Sequence, residues 1–316
     1  MSALPYVSII MPLYNAASTV EAALQSVQSQ TVEDWELIVW DDASTDQGLA
    51  LLEVMDEPRL VLLAGKCNAG PGLARNGAME RARGQWITLI DADDCWDPRR
   101  LEILLNAAEG RDDTLIFDDI MTCHDGPDRR LVPWRRVHGE HAFGGSGKSA
   151  RNVSLSAFIR SERLLIQPLF PARYVHTNGI WQSSRQFAED AEFVFRLAAA
   201  GVQLRYVPEP LYFYRITPDS TTARASDVTL MRKCIQDVLE MADWPQETRI
   251  AFADKIHSLH RNEALYLLYR ALRSRAPREA LRLLLSTPGV LAILPRRVVL
   301  VLYYHIHRLI HGGAMR

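Results

Sequence analysis

The stretch Trp86-Ile87-Thr88-Leu89-Ile90-Asp91-Ala92-Asp93-Asp94 carries a β-rich, mostly apolar segment straight into three carboxylates within four positions. A buried strand seldom ends in clustered negative charge, because like charges a few ångströms apart repel and each loses hydration. A divalent cation removes that conflict, since hard cations take carboxylate oxygens as ligands. One reading is therefore a magnesium or manganese site at a strand's C-terminal end that also takes oxygens from a substrate diphosphate. The other is a solvated turn that caps a helix opening at Pro98, with proline at its first position. The stretch by itself leaves both open.

Working outward, β-rich runs over Tyr6–Met11, Trp35–Trp40, Arg59–Leu63, Gln85–Ile90 and Thr114–Phe117 alternate with helical patterns. Ser18-Thr19-Val20-Glu21 has the spacing of a capping box, and Val20, Leu24 and Val27 fall on one face of the helix it opens. Gly84 reads as the glycine that ends the helix following the loop 65–72. Such alternation implies βαβ units and a parallel sheet covered on both faces. Ligands of such sheets gather at the carboxyl ends of strands. The second strand runs into Asp41-Asp42 and the fourth into Asp91, Asp93 and Asp94, so the site reading gains over the solvated turn.

Beyond Asp118 the pattern loosens. Residues 119–152 are rich in glycine and charge and read as a long mobile loop of the kind that forms lids. Ala142-Phe143-Gly144-Gly145-Ser146-Gly147-Lys148-Ser149 satisfies a loose phosphate-loop pattern. No buried strand precedes it, so it reads as part of that loop. A helix ending at Gly201 and an aromatic, extended run Tyr206–Arg215 follow. Past Asp227 helix dominates, interrupted at Pro245, Pro277, Pro288 and Pro295. The expected division is a catalytic domain over 1–225 and a helical, basic region over 226–316.

Composition fits an ordinary soluble globular protein: 316 residues, 48% hydrophobic, 23% charged, net charge −2. The charge is unevenly placed. From Arg249 onward there are twelve Lys/Arg against three Asp/Glu, a balance of +9, leaving 24 against 35, or −11, for the rest. Such asymmetry suggests a body whose tail meets an anionic surface. Val298, Val301, Leu302, His305 and Leu309 fall on one helical face behind Arg296 and Arg297. That segment either packs on the body or lies in a membrane interface. The basic segment is leucine-rich and not interleaved for base stacking, so nucleic acid is not an expected partner. Four cysteines without zinc or redox spacing and the lack of a signal-peptide pattern suggest a cytoplasmic protein. Peripheral contact with the inner face of the plasma membrane is the accompanying expectation.

Several motifs, in one order, resemble family 2 glycosyltransferases: Val7-Ser8-Ile9-Ile10-Met11-Pro12-Leu13-Tyr14-Asn15, then Asp41-Asp42-Ala43-Ser44-Thr45-Asp46, then Asn68-Ala69-Gly70-Pro71-Gly72-Leu73-Ala74-Arg75-Asn76, then Asp91-Ala92-Asp93-Asp94 and Glu189-Asp190. The resemblance covers roughly residues 5–217. It implies an α/β GT-A fold, a mostly parallel central sheet flanked by helices, with the helical C-terminal region added. It also implies inverting transfer of a sugar from a nucleotide-diphosphate donor, a UDP-sugar by preference, to a hydroxyl of a saccharide or lipid-linked acceptor, as in bacterial polysaccharide assembly. By the same resemblance Asp42 accepts a base-edge N–H, Pro12 and Tyr14 wall the base, and Arg75 contacts nucleotide or phosphate. Asp93 is the principal ligand of Mn2+ or Mg2+, and Asp91 lies near ribose and metal. Asp190 is the general base.

One departure stands out. Family members often place a histidine after the strand that here reads Tyr212-Phe213-Tyr214-Arg215, and this chain has Ile216-Thr217. Arg215 is then the expected phosphate partner. Glu189 and Trp181 are further candidates, and loops 119–152 and 166–186 are expected to select the acceptor. A sugar nucleotidylyltransferase is the competing enzyme class, but Leu13-Tyr14-Asn15-Ala16-Ala17 lacks its glycine-rich loop. A degenerate, non-catalytic scaffold is the competing non-enzyme class.

Overall fold

The computed structural model describes residues 4–185, 187–216, 226–274 and 277–286. The interfacial-helix reading of 298–309 lies outside them. The described chain forms two compact units, residues up to 216 with 241–251, and 226–240 with 252–274 and 277–286.

The first unit opens as the apolar alternation dictates: β1 (Val7–Leu13), α1 (Val20–Gln28), β2 (Trp35–Asp41), α2 (Gly48–Glu53), β3 (Leu60–Ala64), α3 (Pro71–Met79) and β4 (Trp86–Leu89). There follow β5 (Cys95–Trp96), α4 (Arg100–Ala107), β6 (Thr114–Asp125), β7 (Leu131–Arg136), β8 (Arg151–Val153), α5 (Leu155–Arg160), β9 (Leu169–Pro171), α6 (Arg173–His176), α7 (Glu189–Ala199) and β10 (Gln203–Arg215). The strands form one sheet in the order β3-β2-β1-β4-β9-β6-β10-β5, with β7 added on β6 and β8 on β10.

Parallel pairing holds for β3, β2, β1 and β4, and again for β6 with β10. The other pairings are antiparallel, so the sheet is mixed rather than parallel throughout. β1 sends its chain to β2 on one side and has β4 on the other, which opens a crevice at their carboxyl ends. β1 is nearly all buried, as a near-continuous apolar run requires of a strand covered on both faces. It passes through Pro12 to Leu13, beyond its last pairing with β4 at Ile10, where the missing N–H removes no bond to that neighbour.

Val20, Leu24 and Val27 are buried in the core, as the helical spacing predicts. The capping box is not formed: Thr19 is the N-cap, but its hydroxyl donates to the Ala16 carbonyl instead of accepting from the helix. Gly84 is not a helix cap either. α3 has already ended, and a Cβ at Gly84 would stand 2.5 Å from the Ser8 nitrogen, so the residue permits close approach of backbone to β1. Gly201, with φ 91°, does close α7 in the left-handed conformation that favours glycine.

The mobile-loop expectation for 119–152 is overturned for part of its length. Residues 119–125 continue β6, which turns back as β7, and 151–153 form β8. Local sequence could not report this because the stabilising partners are remote. Buried Asp119 accepts from His138 N, Gly139 N and Arg136 Nε at 2.9, 2.8 and 2.6 Å. Phe143, inside the phosphate-loop look-alike, packs edge-on against Phe117 and Tyr206.

The most buried ion pair among the described residues joins Arg100 on α4 to Asp118 on β6, at 2.8 Å and with side chains 0% and 1% exposed. Arg100 also donates to Thr88 and to the Gln167 carbonyl and lies over the rings of Trp96 and Tyr212. In the second unit, α8 (Ser226–Met241) buries Cys234, Ile235 and Val238. α9 (Gln246–Arg273), most of which belongs to this unit, and α10 (Pro277–Ser286) share a small core of Ala264, Leu268, Ala271, Ala280 and Leu284. Among the described residues no helix is long and apolar enough to cross a membrane.

Candidate active site

Parallel strands bring their carboxyl ends to one edge, and the loops after β1, β2 and β4 meet there. Asn15 Oδ1 accepts from Thr45 N at 2.8 Å, and Asn15 N donates to Ser44 Oγ at 3.0 Å, stitching the first loop to the second. Asp42 is buried and accepts from Ala69 N and Gly70 N at 2.9 and 2.8 Å, fastening the loop that leads into α3. Asp41 ends its strand by accepting from Ser44 N. Ala43 and Asn15 take left-handed φ values of 59° and 49°, uncommon for residues bearing a Cβ, beside Asp42 and Tyr14. Tyr14 is 51% exposed on this rim, with Pro12 partly buried two residues behind it.

Arg75, only 6% exposed, connects the acidic segments. Nη2 donates to Asp91 Oδ1 at 2.7 Å and Nη1 to Glu189 Oε1 at 3.1 Å, with Gln182 Oε1 at 3.4 Å. Burial works against its charge, but Asp91 and Glu189 outweigh it and hold the guanidinium firmly protonated, well above the ordinary arginine range. The guanidinium joins the β4 loop to the start of α7, with only Nε left unpartnered. Gly72 permits that closeness, since a Cβ there would stand 2.7 Å from the Ser183 carbonyl oxygen and 3.1 Å from Glu189 Cγ. Ala188, at φ 64°, turns the chain into α7 and presents Glu189-Asp190.

The carboxylates divide by partner. Asp91 is held by Arg75 and, at 3.2 Å, by Gln167 Nε2. Asp94 accepts from the Tyr212 hydroxyl at 2.6 Å and Arg215 N at 2.8 Å. Arg215, the expected phosphate partner, is buried with its Nε on the Asp93 carbonyl at 2.7 Å and Nη1 on Asp125, so it braces the loop. Glu189 is taken by Arg75. Among the described residues, Asp93 and Asp190 have no side-chain hydrogen-bond partner; Asp190 accepts only from the Ala191 amide, at 2.7 Å.

Burial, and then Asp91, pushes Asp93 up to about 6. Burial and then Asp93 push Asp94 well above the usual carboxylate range. For Asp190, burial and then Glu189 raise the value to about 7 against the pull of Arg75. A carboxylate held near 6 by burial and a like-charged neighbour is a place where a cation is welcome. Among the described residues no three His, Cys, Asp or Glu side chains converge as a metal cluster. That donor set suits Mg2+ or Mn2+, which accept one or two protein carboxylates and complete their shells with water and substrate phosphate.

The structure thus brings Arg75, Asp91, Asp93, Asp94, Glu189, Asp190 and Arg215 together around one network, with Asp42 anchored at the adjoining loop. Trp181 stands half-buried with its ring edge-on to His176, beside Gln182. Sequence reasoning missed four supporting residues: Tyr212, Gln167, Gln182 and Asn76, whose amide holds the Gln182 backbone at 2.9 and 2.8 Å. Their partners lie up to 121 residues away, and no local spacing signals such contacts.

The model of the family described as glycosyl transferase family 2 matches residues 8–170. The succinoglycan biosynthesis protein ExoO of Rhizobium meliloti is 28% identical over 228 residues, covering 68% of this chain and 62% of the relative. The UDP-Glc:alpha-D-GlcNAc-diphosphoundecaprenol beta-1,3-glucosyltransferase WfgD of Escherichia coli is 40% identical over 100 residues, or 32% of this chain and 40% of the relative. The chain therefore spans less than two thirds of the length of these relatives. Among solved structures, S. aureus TarS 1-349 superposes with a TM-score of 0.64 at 19% identity, over 96% of this chain and 87% of the other. The mannosyltransferase PcManGT from Pyrobaculum calidifontis, in complex with GDP-Man and Mn2+, gives 0.62 at 18% identity, over 99% and 88%. Both likenesses are of fold, the GT-A arrangement. With the family match covering half of its length, this chain belongs to glycosyl transferase family 2.

Proposed function

We propose that the protein is an inverting glycosyltransferase that moves a sugar from a nucleotide-diphosphate donor, a UDP-sugar by preference, to a hydroxyl of a saccharide or lipid-linked saccharide. The observation that carries this reading is the pair of carboxylates left without side-chain partners, Asp93 and Asp190, in a network that Arg75 closes through Asp91 and Glu189. Solved complexes of S. aureus TarS with UDP and UDP-GlcNAc, and the UDP-Glc named for WfgD, support the choice of donor.

In this reading Pro12 and Tyr14 flank the base, and the free lone pairs of Asp42 accept its N–H. Asp91 lies toward the ribose, and Arg75, which grips Asp91 at 2.7 Å, is the nucleotide contact beside it. Asp93, with Asp91 beside it, would hold a Mg2+ or Mn2+ ion, which supplies charge to offset the leaving diphosphate. Asp190 takes the proton of the acceptor hydroxyl as its oxygen attacks the anomeric carbon from the face opposite the diphosphate. A carboxylate raised to about 7 is well matched to that task near neutral pH. Arg215 and Tyr212 keep the 93–94 loop in place, and Glu189 keeps Arg75 aligned.

The catalytic domain is taken as 1–225 and the basic helical region as 226–316. A lipid-linked acceptor would bring that region to the inner face of the plasma membrane. Flotation with anionic liposomes tests this, and equal flotation of the full chain and a form ending at 287 would end the idea. The activity itself is tested by UDP release from a panel of UDP-sugars with Mn2+ and acceptor. Asp190→Asn should lower turnover by about 10²–10⁴ without weakening UDP binding. Undiminished release by that variant would remove Asp190 from the mechanism.

A further inference from the structure

The β6–β7 hairpin carries an exposed aromatic surface that the donor reaction leaves unused. Trp134 is 64% exposed and Val132 51%, and the Trp134 ring lies 4.9 Å from the ring of His124. The hairpin is joined to the catalytic loop, because Arg215 pairs with Asp125 at the end of β6 and binds the Asp93 carbonyl at 2.7 Å. Strand register locates the indole further. Tyr212, whose hydroxyl meets Asp94, pairs with Ile120, and Tyr214 with Thr122. His124 continues that face by alternation. Four residues of extended strand set it about 13 Å beyond Tyr212, and Trp134 beside it.

The chemistry around the indole narrows what it could bind. Arg130 pairs with Asp128, Arg135 with Glu162 and Arg136 with Asp119, so most of the hairpin's arginines are already compensated. A polyanion would find little free charge there. Pro133 lacks an N–H in β7, which pairs with β6 alone among the described strands; adding a strand from a second copy would leave a ladder bond unmade. What remains is an exposed ring face beside the His124 imidazole, the surface on which the apolar C–H face of a pyranose stacks while its hydroxyls bond outward.

We propose that Trp134, with His124, forms an acceptor subsite that stacks a neutral sugar unit remote from the reacting hydroxyl. The proposal rests on the transferase reading and deepens it by naming where the acceptor is held. A stacked aromatic is worth about tenfold in affinity. The test uses the full chain with UDP and Mn2+ on an array of neutral and acidic oligosaccharides, followed by acceptor kinetics on the glycans retained. Trp134→Ala should lose about tenfold in retention of neutral glycans and raise acceptor KM by the same factor. The rate at saturating acceptor should hold, as should UDP release without acceptor. Trp134→Phe should recover most of the loss. Equal retention by wild type and Trp134→Ala overturns the subsite, as does retention of acidic glycans alone, absence of any retained glycan, or a mass shift showing that Trp134 seals a dimer. Failure of UDP release would instead strike the transferase reading, since array retention does not depend on turnover.

Discussion

Replacing Glu189 by glutamine should move the acid limb of the pH–rate profile toward lower pH. In the native protein burial, and then Glu189, hold Asp190 near 7. A base must be ionised to accept a proton, so kcat/KM rises with pH, levels off above that value, and at pH 6 is about a tenth of the plateau. The direction is that of any carboxylate with a raised value: function is lost as pH falls through it. Two unit charges about 8 Å apart at an effective dielectric of about 20 repel by about 2 kcal/mol, or about 1.5 pKa units. Screening at a partly open cleft reduces this to about one unit. At pH 6, Glu189→Gln should therefore retain about half of its own plateau rate instead of a tenth. The glutamine carbonyl can still accept from Arg75, now 3.1 Å from Oε1, so the brace survives. The assay is initial-rate UDP release from pH 5 to 9 at saturating Mn2+, each protein scaled to its own plateau. An unmoved limb, or one displaced toward alkali, refutes the assignment of Asp190 as the titrating base.

Asp93→Asn should lose Mn2+-dependent UDP binding by calorimetry. Its melting temperature at pH 8 should equal or exceed that of the wild type, because the Asp93 charge is opposed by burial and by Asp91. Arg100→Met strands a carboxylate that is 1% exposed and should cost about 3–5 kcal/mol in urea unfolding, much of it recovered by adding Asp118→Leu. Gly72→Ala drives a methyl against the Ser183 carbonyl at 2.7 Å and should cost about 1–3 kcal/mol, with turnover falling further than stability because Glu189-Asp190 is displaced.

The parallel half of the sheet was legible because fully buried strands must be continuously apolar and must end in residues that suit the crevice. Ile9, Leu37 and Ile87 on three strands, with Asp42 and Asp91 where two of them end, state both facts within a few residues. The hairpin was not legible. Its residues read as a polar, glycine-containing loop, and they form strands because Asp119 and Phe117 find partners among 136–143.

The site divides in the same way. Asp42, Arg75, Asp91, Asp93 and Glu189-Asp190 stood out as residue types at recognisable positions. Which of them carries charge to a ligand and which is consumed inside the protein depended on distances. Arg75 pairs with Asp91 and Glu189 and Arg215 with Asp125, while Asp93 and Asp190 are left without a side-chain partner. Sequence alone determined the order of elements and the acidic identity of the strand ends, since burial periodicity and charge are local properties. The pairing of charges, the raised values at Asp93 and Asp190, and the reach from Trp134 to the catalytic loop were decided by tertiary structure, because each depends on which remote segment excludes water or supplies a counter-charge.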